Sequence, residues 1–178
     1  MDKKLYDIKA KMDALGIVPR AKIELSKIQA IEAEHKICFP SDYVAFITQI
    51  GDGWERHIIN RRVWEPMNSF EEELDTDYIG KSFPYQEKWI WEDNDTAPLP
   101  GESDDEWDAR VDELLLPTNF GNLPLTMGES GEMFHLITDG AEKGKIWVFT
   151  DIGIAPCVPK IEFLPWLDAW LSGKRDFF

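Results

Sequence analysis

A dense run of carboxylates, punctuated by tryptophans, is the part of this sequence whose residue types could do chemistry. Between Trp91 and Leu114 the chain carries ten acidic residues and a single basic one, Arg110. The ten are Glu92, Asp93, Asp95, Glu102, Asp104, Asp105, Glu106, Asp108, Asp112 and Glu113. Paired carboxylates can hold a cation or transfer protons. Aromatic side chains ringed by charge are instead typical of protein-binding hot spots.

Spacing favours binding over catalysis or metal coordination for this run. The acidic residues lack the ordered ligand spacing of a calcium loop. Prolines and a glycine (Pro98, Pro100, Gly101) interrupt the run, whereas catalytic carboxylates need a rigid cleft that shifts their pKa values. We therefore expect a solvated charged loop. Its candidate partner-binding residues are Trp89, Trp91, Asp104, Asp105, Glu106 and Trp107. The alternative is that these tryptophans turn inward and cover the edge of the core.

Other candidate sites are weaker. The three histidines (His35, His57, His135) show no zinc-like spacing with cysteine. We expect His35 to lie at a helix end, where the helix dipole favours it, and His135 to be half exposed in a strand. No serine-nucleophile elbow, phosphate loop or dinucleotide glycine motif occurs in the sequence. We expect no catalytic residue, no metal and no cofactor, so an enzyme using the acidic loop is the least favoured function.

The net charge indicates which classes of partner are favoured, and the cysteines and the N-terminus indicate the cellular compartment. The 178 residues are enough for one domain, and the formal net charge is −15. Such a charge disfavours nucleic acid and anionic membranes and favours basic partners, although solubility alone also explains it. Cys38 and Cys157 each have apolar neighbours, which predicts two buried thiols. With no signal peptide or membrane span in view, we expect a cytoplasmic protein.

Periodicity indicates which elements hold these residues. Helical spacing predicts helices at residues 3–15, from 24 or 26 to 35, and from 40 or 41 to 50, the last ended by Gly51 and Gly53. It also predicts a closing helix at 162–171. Strand-like pieces occur at 58–59, 63–64, 123–127, 134–138 and 145–150, with a helical turn at 70–74 and an acidic insertion at about 87–113. The strands at 134–138 and 145–150 form the clearest hairpin. This order predicts an α+β fold with a mainly antiparallel sheet packed against N-terminal helices and one C-terminal helix.

Two blocks of the chain resemble a known family. Residues 39–47 with 51–53 are similar to the L-P-x-D-Y-x-x-F-L…N-G-G signature of the SUKH superfamily, and residues 28–32 look like the helix that precedes it. Residues 131–147 and 163–171 are similar to the family's G…L…G…G-x-V-W…F…W…W-L tail. Phe39 replaces the usual leucine, and Gly51-Asp52-Gly53 replaces Asn-Gly-Gly. The superfamily includes the yeast regulator of cell-wall glucan synthesis and many bacterial immunity proteins.

The resemblance implies a single α+β domain over residues 1–178, without catalytic residues and with the acidic insertion as its own addition. In bacteria it implies an immunity protein that neutralises a cognate toxin, often a nuclease. The alternative is a regulatory or scaffold protein of the same fold. Asp42, Tyr43 and Gly53 are interpreted as helix start, core and helix stop. The family's partner surface varies, so the resemblance supplies no binding residues.

Overall fold

The computed structural model describes residues 2–59, 62–91 and 93–177. Its helices are α1 (Lys3–Ala14), α2 (Leu25–His35), α3 (Ser41–Gln49), α4 (Phe70–Glu73), α5 (Asp93–Thr96), α6 (Asp104–Leu115) and α7 (Phe163–Leu171), with a 3-10 helix at Leu116–Asn119. Its strands are β1 (His57–Ile59), β2 (Arg62–Trp64), β3 (Trp89–Ile90), β4 (Asn122–Met127), β5 (Met133–Ile137), β6 (Ile146–Phe149) and β7 (Gly153–Pro156). The α+β class predicted from the sequence is confirmed.

A five-stranded antiparallel sheet organises the fold, with the strand order β3-β7-β6-β5-β4. The hairpin predicted at 134–138 and 145–150 is present as β5 and β6, with Phe134 opposite Val148. Strands β1 and β2 form a separate two-stranded ribbon. Because side chains alternate along a strand, the large sheet has two distinct faces.

Helices cover the first face of this sheet and build the main core on it. Phe134 of β5 lies 5.2 Å, ring to ring, from Trp170 of α7 and packs at 5.7 Å against Trp166. Phe163 of α7 in turn meets Phe46 of α3 at 5.5 Å. These aromatic side chains are almost completely buried. Helix α7 therefore buries its aromatic face against the sheet, and Phe46 of α3 packs on α7.

One carboxylate joins the starts of these two helices. Asp42, in the first turn of α3, accepts a hydrogen bond from the backbone N–H of Tyr43 and, at 3.3 Å, from that of Leu164 in the first turn of α7. The first N–H groups of a helix have no partner within the helix, and a carboxylate there also meets a favourable dipole. Asp42 thus ties together segments 122 positions apart.

Gly53 follows α3 in a left-handed conformation, with φ at +70°. A Cβ atom at this position would lie 2.2 Å from the carbonyl oxygen of Met67, a distance that no side chain tolerates. The Gly53 carbonyl accepts a hydrogen bond from the N–H of Arg20. The residue therefore ends the α3 region where two loops pass close to it.

Only one of the two predicted buried thiols is buried. Cys157 lies in the core, where burial raises the pKa of its thiol to about 12. Cys38 is exposed and free. It lies between the end of α2 and Phe39, which is buried. The apolar neighbours of Cys38 in sequence therefore did not predict its burial.

None of the helices within the described ranges is both long and apolar enough to cross a lipid bilayer.

Candidate functional site

The acidic run is a helix over residues 104–115, so the prediction of a solvated loop is wrong for this part. Ser103 is the N-cap of α6: its Oγ accepts from the N–H of Glu106, and the Glu106 carboxylate accepts from the N–H of Ser103 at 2.9 Å. This reciprocal pair is a capping box, which satisfies two N–H groups at the helix start. These hydrogen bonds hold the pKa of Glu106 below its ordinary range.

Arg110, the only basic residue of the run, fastens α6 to the chain that precedes it. Its guanidinium donates to both carboxylate oxygens of Glu102, at 2.8 and 3.0 Å. It also donates to the backbone carbonyls of Asp95 and Ala97, at 2.8 and 2.7 Å. The ion pair lowers the pKa of Glu102. Arg110 thereby holds α6 against the chain that precedes it, and its positive charge is paired with the carboxylate of Glu102.

The carboxylates of α6, including that of Glu106, face solvent, and no residue of this helix is buried. Three of them (Asp104, Asp105, Glu106) lie in the first turn, where the helix dipole favours negative charge. Asp108, Asp112 and Glu113 are also exposed. The helix therefore presents a fixed, strongly negative surface. Glu92, the first carboxylate of the run, lies outside the described residues.

An open groove lies at the C-terminal end of α6. Its lining includes Tyr78, Asp112, Glu113, Leu116 and Asn119, and its volume is about 600 Å³. Sequence reasoning missed this groove because Tyr78 is far from α6 along the chain. Two carboxylates beside an aromatic ring can receive a basic side chain.

Trp107 is half-buried against its own segment. Its indole N–H donates to the carbonyl of Thr96 at 2.5 Å. The indole therefore braces α6 against the end of α5, in addition to the Arg110 bonds. Part of its surface stays in solvent beside the carboxylates of α6.

Trp89 and Trp91 lie on the second face of the sheet. Trp89 stacks on Tyr85 at 5.1 Å and meets Trp91 edge to face at 5.3 Å. Both pack against a second apolar cluster made of Phe83, Ile137, Trp147 and Ile154. The indole N–H of Trp91 donates to the carbonyl of Asp151 at 3.1 Å. These two tryptophans thus cover the edge of a core, the alternative raised from the sequence, and are half-buried rather than free.

The same face holds His135, which the sequence placed in a strand and half exposed. Its ring stacks on Phe149 at 3.8 Å, and its Nδ1 lies 2.7 Å from Oδ1 of Asn122. The Asn122 amide nitrogen donates to two backbone carbonyls, so its oxygen must accept and His135 must donate from Nδ1. Burial lowers the pKa of His135 to about 3. This geometry gives His135 a structural role as a neutral ring.

Asp52 is a buried carboxylate, and its hydrogen-bond partners are structural. It accepts from the Ser69 hydroxyl at 2.5 Å and from the Phe70 N–H at 2.7 Å, and so holds the start of α4. Burial, with the Asp52 charge as a second cause, raises the pKa of the Tyr43 hydroxyl. Within the part of the chain that the structure describes, no three His, Cys, Asp or Glu side chains gather into a possible metal site.

The structure thus separates the sequence-predicted residues into two groups. Asp104, Asp105, Glu106 and Trp107 belong to α6, whereas Trp89 and Trp91 belong to the sheet edge and its aromatic face. No protein-family model matches the chain, and no curated protein or solved structure shows significant similarity to it.

Proposed function

We propose that this protein is a non-catalytic, cytoplasmic binding domain of the toxin-immunity type, which engages a basic partner protein through α6. The resemblance of residues 39–53 and 131–171 to the SUKH superfamily supports the immunity assignment. The α+β fold, with Asp42 at a helix start and Tyr43 in the core, is consistent with it. The exposed carboxylates of α6 support a basic partner.

The observation that carries the proposal is that α6 is rigidly held yet buries none of its residues. A helix of this length gains most of its stability from packing an apolar face. This one is held instead by the Ser103–Glu106 capping box and the Arg110 bonds. A surface ordered before binding loses less conformational entropy when a partner arrives. The helix is therefore suited to docking on a partner.

Like charges crowded on one helix repel each other, and a basic surface relieves that repulsion. Charge complementarity mainly speeds association, and it weakens as salt screens charges beyond roughly 8–10 Å. An apolar anchor mainly slows dissociation. Within α6 the carboxylates and Trp107 can supply these two contributions separately.

The test uses the protein encoded next to this one in its genome as the candidate partner. Co-expression should protect cells from that protein, and the purified pair should bind faster at low salt. Asp104→Asn with Asp105→Asn should slow association about tenfold, and Trp107→Ala should mainly speed dissociation. Each variant is first checked for an unchanged melting temperature.

The matched control removes two exposed carboxylates elsewhere, Asp7→Asn with Glu34→Gln. It changes the net charge by the same amount, so it should leave association close to that of the parent. Equal rates for both double variants would show that α6 is only a solvated helix. Binding without protection from the partner would point to a regulatory protein of the same fold.

A further inference from the structure

The groove at the C-terminal end of α6 combines negative charge, an aromatic ring and apolar side chains. Asp112 and Glu113 line it from the last turn of the helix, Leu115 and Leu116 from the helix end, and Tyr78 from the turn that follows α4. Its volume of about 600 Å³ is within the range of ligand-binding clefts. Such a lining suits a long side chain that has an apolar stem and a charged end.

The two carboxylates lie at the end of α6 where negative charge is unfavourable. The C-terminal end of a helix carries a partial negative charge, so basic side chains stabilise it and acidic ones destabilise it. The last turn of α6 holds no basic residue, whereas Asp112 and Glu113 are both there and exposed. These two charges therefore lower the stability of the helix that carries them. Natural proteins break local rules of this kind mainly at functional sites.

Pro117 makes this helix end more negative. It stands four residues after Glu113 and has no N–H, so it cannot donate the α-helical hydrogen bond to the Glu113 carbonyl. The N–H of Leu116 is bound to the carbonyl of Asp112. The α-helical bond to the Glu113 carbonyl is therefore missing, and the lone pairs of that oxygen add to the negative potential.

The cations near the groove leave the two carboxylates unneutralised. Among the residues that the structure describes, no lysine or arginine forms an ion pair with Asp112 or Glu113. The ammonium group of Lys81 lies instead 4.7 Å from the ring centroids of Tyr78 and Phe120. The Tyr78 ring thus already attracts a cation, which is the chemistry that the groove offers to a ligand.

We propose that this groove receives an arginine side chain of the basic partner. The methylene groups of that arginine contact Leu115 and Leu116, and its guanidinium meets a carboxylate and the Tyr78 ring. Asp112 and Glu113 point about 100° apart around the helix, so one binds the guanidinium and the other strengthens the field. This inference rests on the proposed function, since it specifies how the basic partner binds α6.

The lining also selects arginine over other cations. A planar guanidinium bonds a carboxylate through two N–H groups and stacks on an aromatic ring, which the ammonium group of lysine cannot do. A divalent metal ion takes oxygen ligands only and makes no use of the leucines or the ring. The groove should therefore prefer arginine to lysine, and both to calcium.

The probe is Nα-acetyl-arginine methylamide, titrated into the ¹⁵N-labelled protein and followed by NMR chemical shifts. Saturable shifts should be confined to Tyr78 and residues 112–119. Asp112→Asn with Glu113→Gln should raise the Kd about tenfold, and Tyr78→Leu should raise it about threefold. The matched control is Asp7→Asn with Glu34→Gln, which changes the net charge equally and should leave the Kd unchanged.

Altered probes test which property of the ligand matters. The citrulline analogue has the shape of arginine without its charge and should bind about tenfold more weakly, and the lysine analogue should bind about threefold more weakly. Shifts spread over the whole acidic surface without saturation, or equal Kd values for the parent and Asp112→Asn with Glu113→Gln, overturn the proposal. Calcium chloride that produces the same shifts at lower concentration also overturns it, because the site then binds a metal.

Hydrogen exchange tests whether the two carboxylates are kept at a cost to the helix. In Asp112→Asn with Glu113→Gln, the amide protection factors of residues 104–115 should rise about threefold, because a charge opposed to the helix dipole is removed. A variant that binds arginine less well but has a better protected α6 is a result that loss of folding cannot give. A fall in protection would show that these carboxylates hold the helix in place, and the argument from their position would fail.

The partner itself distinguishes this inference from the proposed function. Asp112→Asn with Glu113→Gln should speed dissociation of the partner about tenfold, since an inserted charge acts mainly on dissociation. If Asp104→Asn with Asp105→Asn slows association but the groove variant dissociates like the parent, α6 docks without an arginine in the groove and only this inference fails. If neither variant changes the rates, the proposed function fails and this inference with it.

Discussion

Acidification should destabilise this protein in part through His135, whose imidazole ring is stacked on Phe149 and bound to Asn122. The cross-strand neighbours of His135 are Pro124 and Trp147, so neither supplies a charge that would stabilise an imidazolium ion. In the folded state burial lowers its pKa to about 3, against about 6.5 in an unfolded chain. The unfolded chain therefore binds the proton first as the pH falls. The stability contributed by the neutral ring is complete above about pH 6.5 and is lost progressively toward pH 3.

The size of this effect follows from the interval between the two pKa values. Between pH 7 and pH 4.5, linkage gives at most about 2.5 kcal/mol of lost free energy of unfolding. Because the ring is half-buried rather than fully enclosed, solvent reduces this to about 1–2 kcal/mol. Carboxylates also titrate in this range, so the parent alone does not isolate the histidine.

The variant His135→Gln isolates the contribution of the histidine, since a glutamine amide can still donate a hydrogen bond to Asn122 but takes up no proton in this pH range. Urea unfolding gives the free energy of unfolding of both proteins at pH 7 and at pH 4.5. The decrease between the two pH values should be about 1–2 kcal/mol smaller in the variant than in the parent. Circular dichroism at pH 7 provides the control that the fold is unchanged. An NMR titration that places the His135 pKa near 6.5, or identical falls for the two proteins, would refute the reasoning.

Three further predictions concern the core, the helix cap and metals. Trp170→Ala should lower the free energy of unfolding by about 3–5 kcal/mol, because the ring is fully buried against Phe134; a loss below 1 kcal/mol in urea unfolding would contradict this packing. Ser103→Ala should cost about 1 kcal/mol of α6 stability, read as faster amide hydrogen exchange in residues 104–115 with no change in α7. EDTA should leave the melting temperature unchanged, and a substantial fall would reveal a structural metal.

The helices at the two ends of the chain could be predicted because their apolar residues recur at helical spacing and glycines follow them. Observed α1, α3 and α7 begin or end within one or two residues of the predicted bounds. The hairpin of β5 and β6 was predictable because alternating apolar residues flank a turn with two glycines. In each case the local signal and the tertiary environment favour the same structure.

Strands β3 and β7 could not be predicted, for two physical reasons. Strand β3 has two residues, too few for a periodic pattern. Strand β7 begins with glycine and ends with proline, residues that are normally depleted in strands. These two strands exist because they pair with each other and with β6, which is tertiary information.

Helix α6 could have been predicted, and its absence from the sequence interpretation has a clear cause. Ser103 and Glu106 form the S-x-x-E pattern of a capping box, and Trp107, Val111 and Leu114 recur at helical spacing. The density of like charge and the prolines before Ser103 suggested a loop instead. The groove at the C-terminal end of α6 left no signal in the sequence, because Tyr78 reaches it from a distant part of the chain.

The sheet order has a consequence for how the length of this chain can vary. Strands β3 and β4 lie at opposite edges and run in the same direction, so residues 91–121 must cross four strand spacings and return along a strand. That path is roughly 25–30 Å, which about nine extended residues can cover. Most of the segment therefore exceeds what connectivity requires. The ends of the segment serve the sheet, because Trp91 packs on the second cluster and the carbonyls of Thr118 and Phe120 accept hydrogen bonds from Asn122. Between these ends the length of the chain can vary without breaking the connection, which separates the part that changes the surface from the part that maintains the fold.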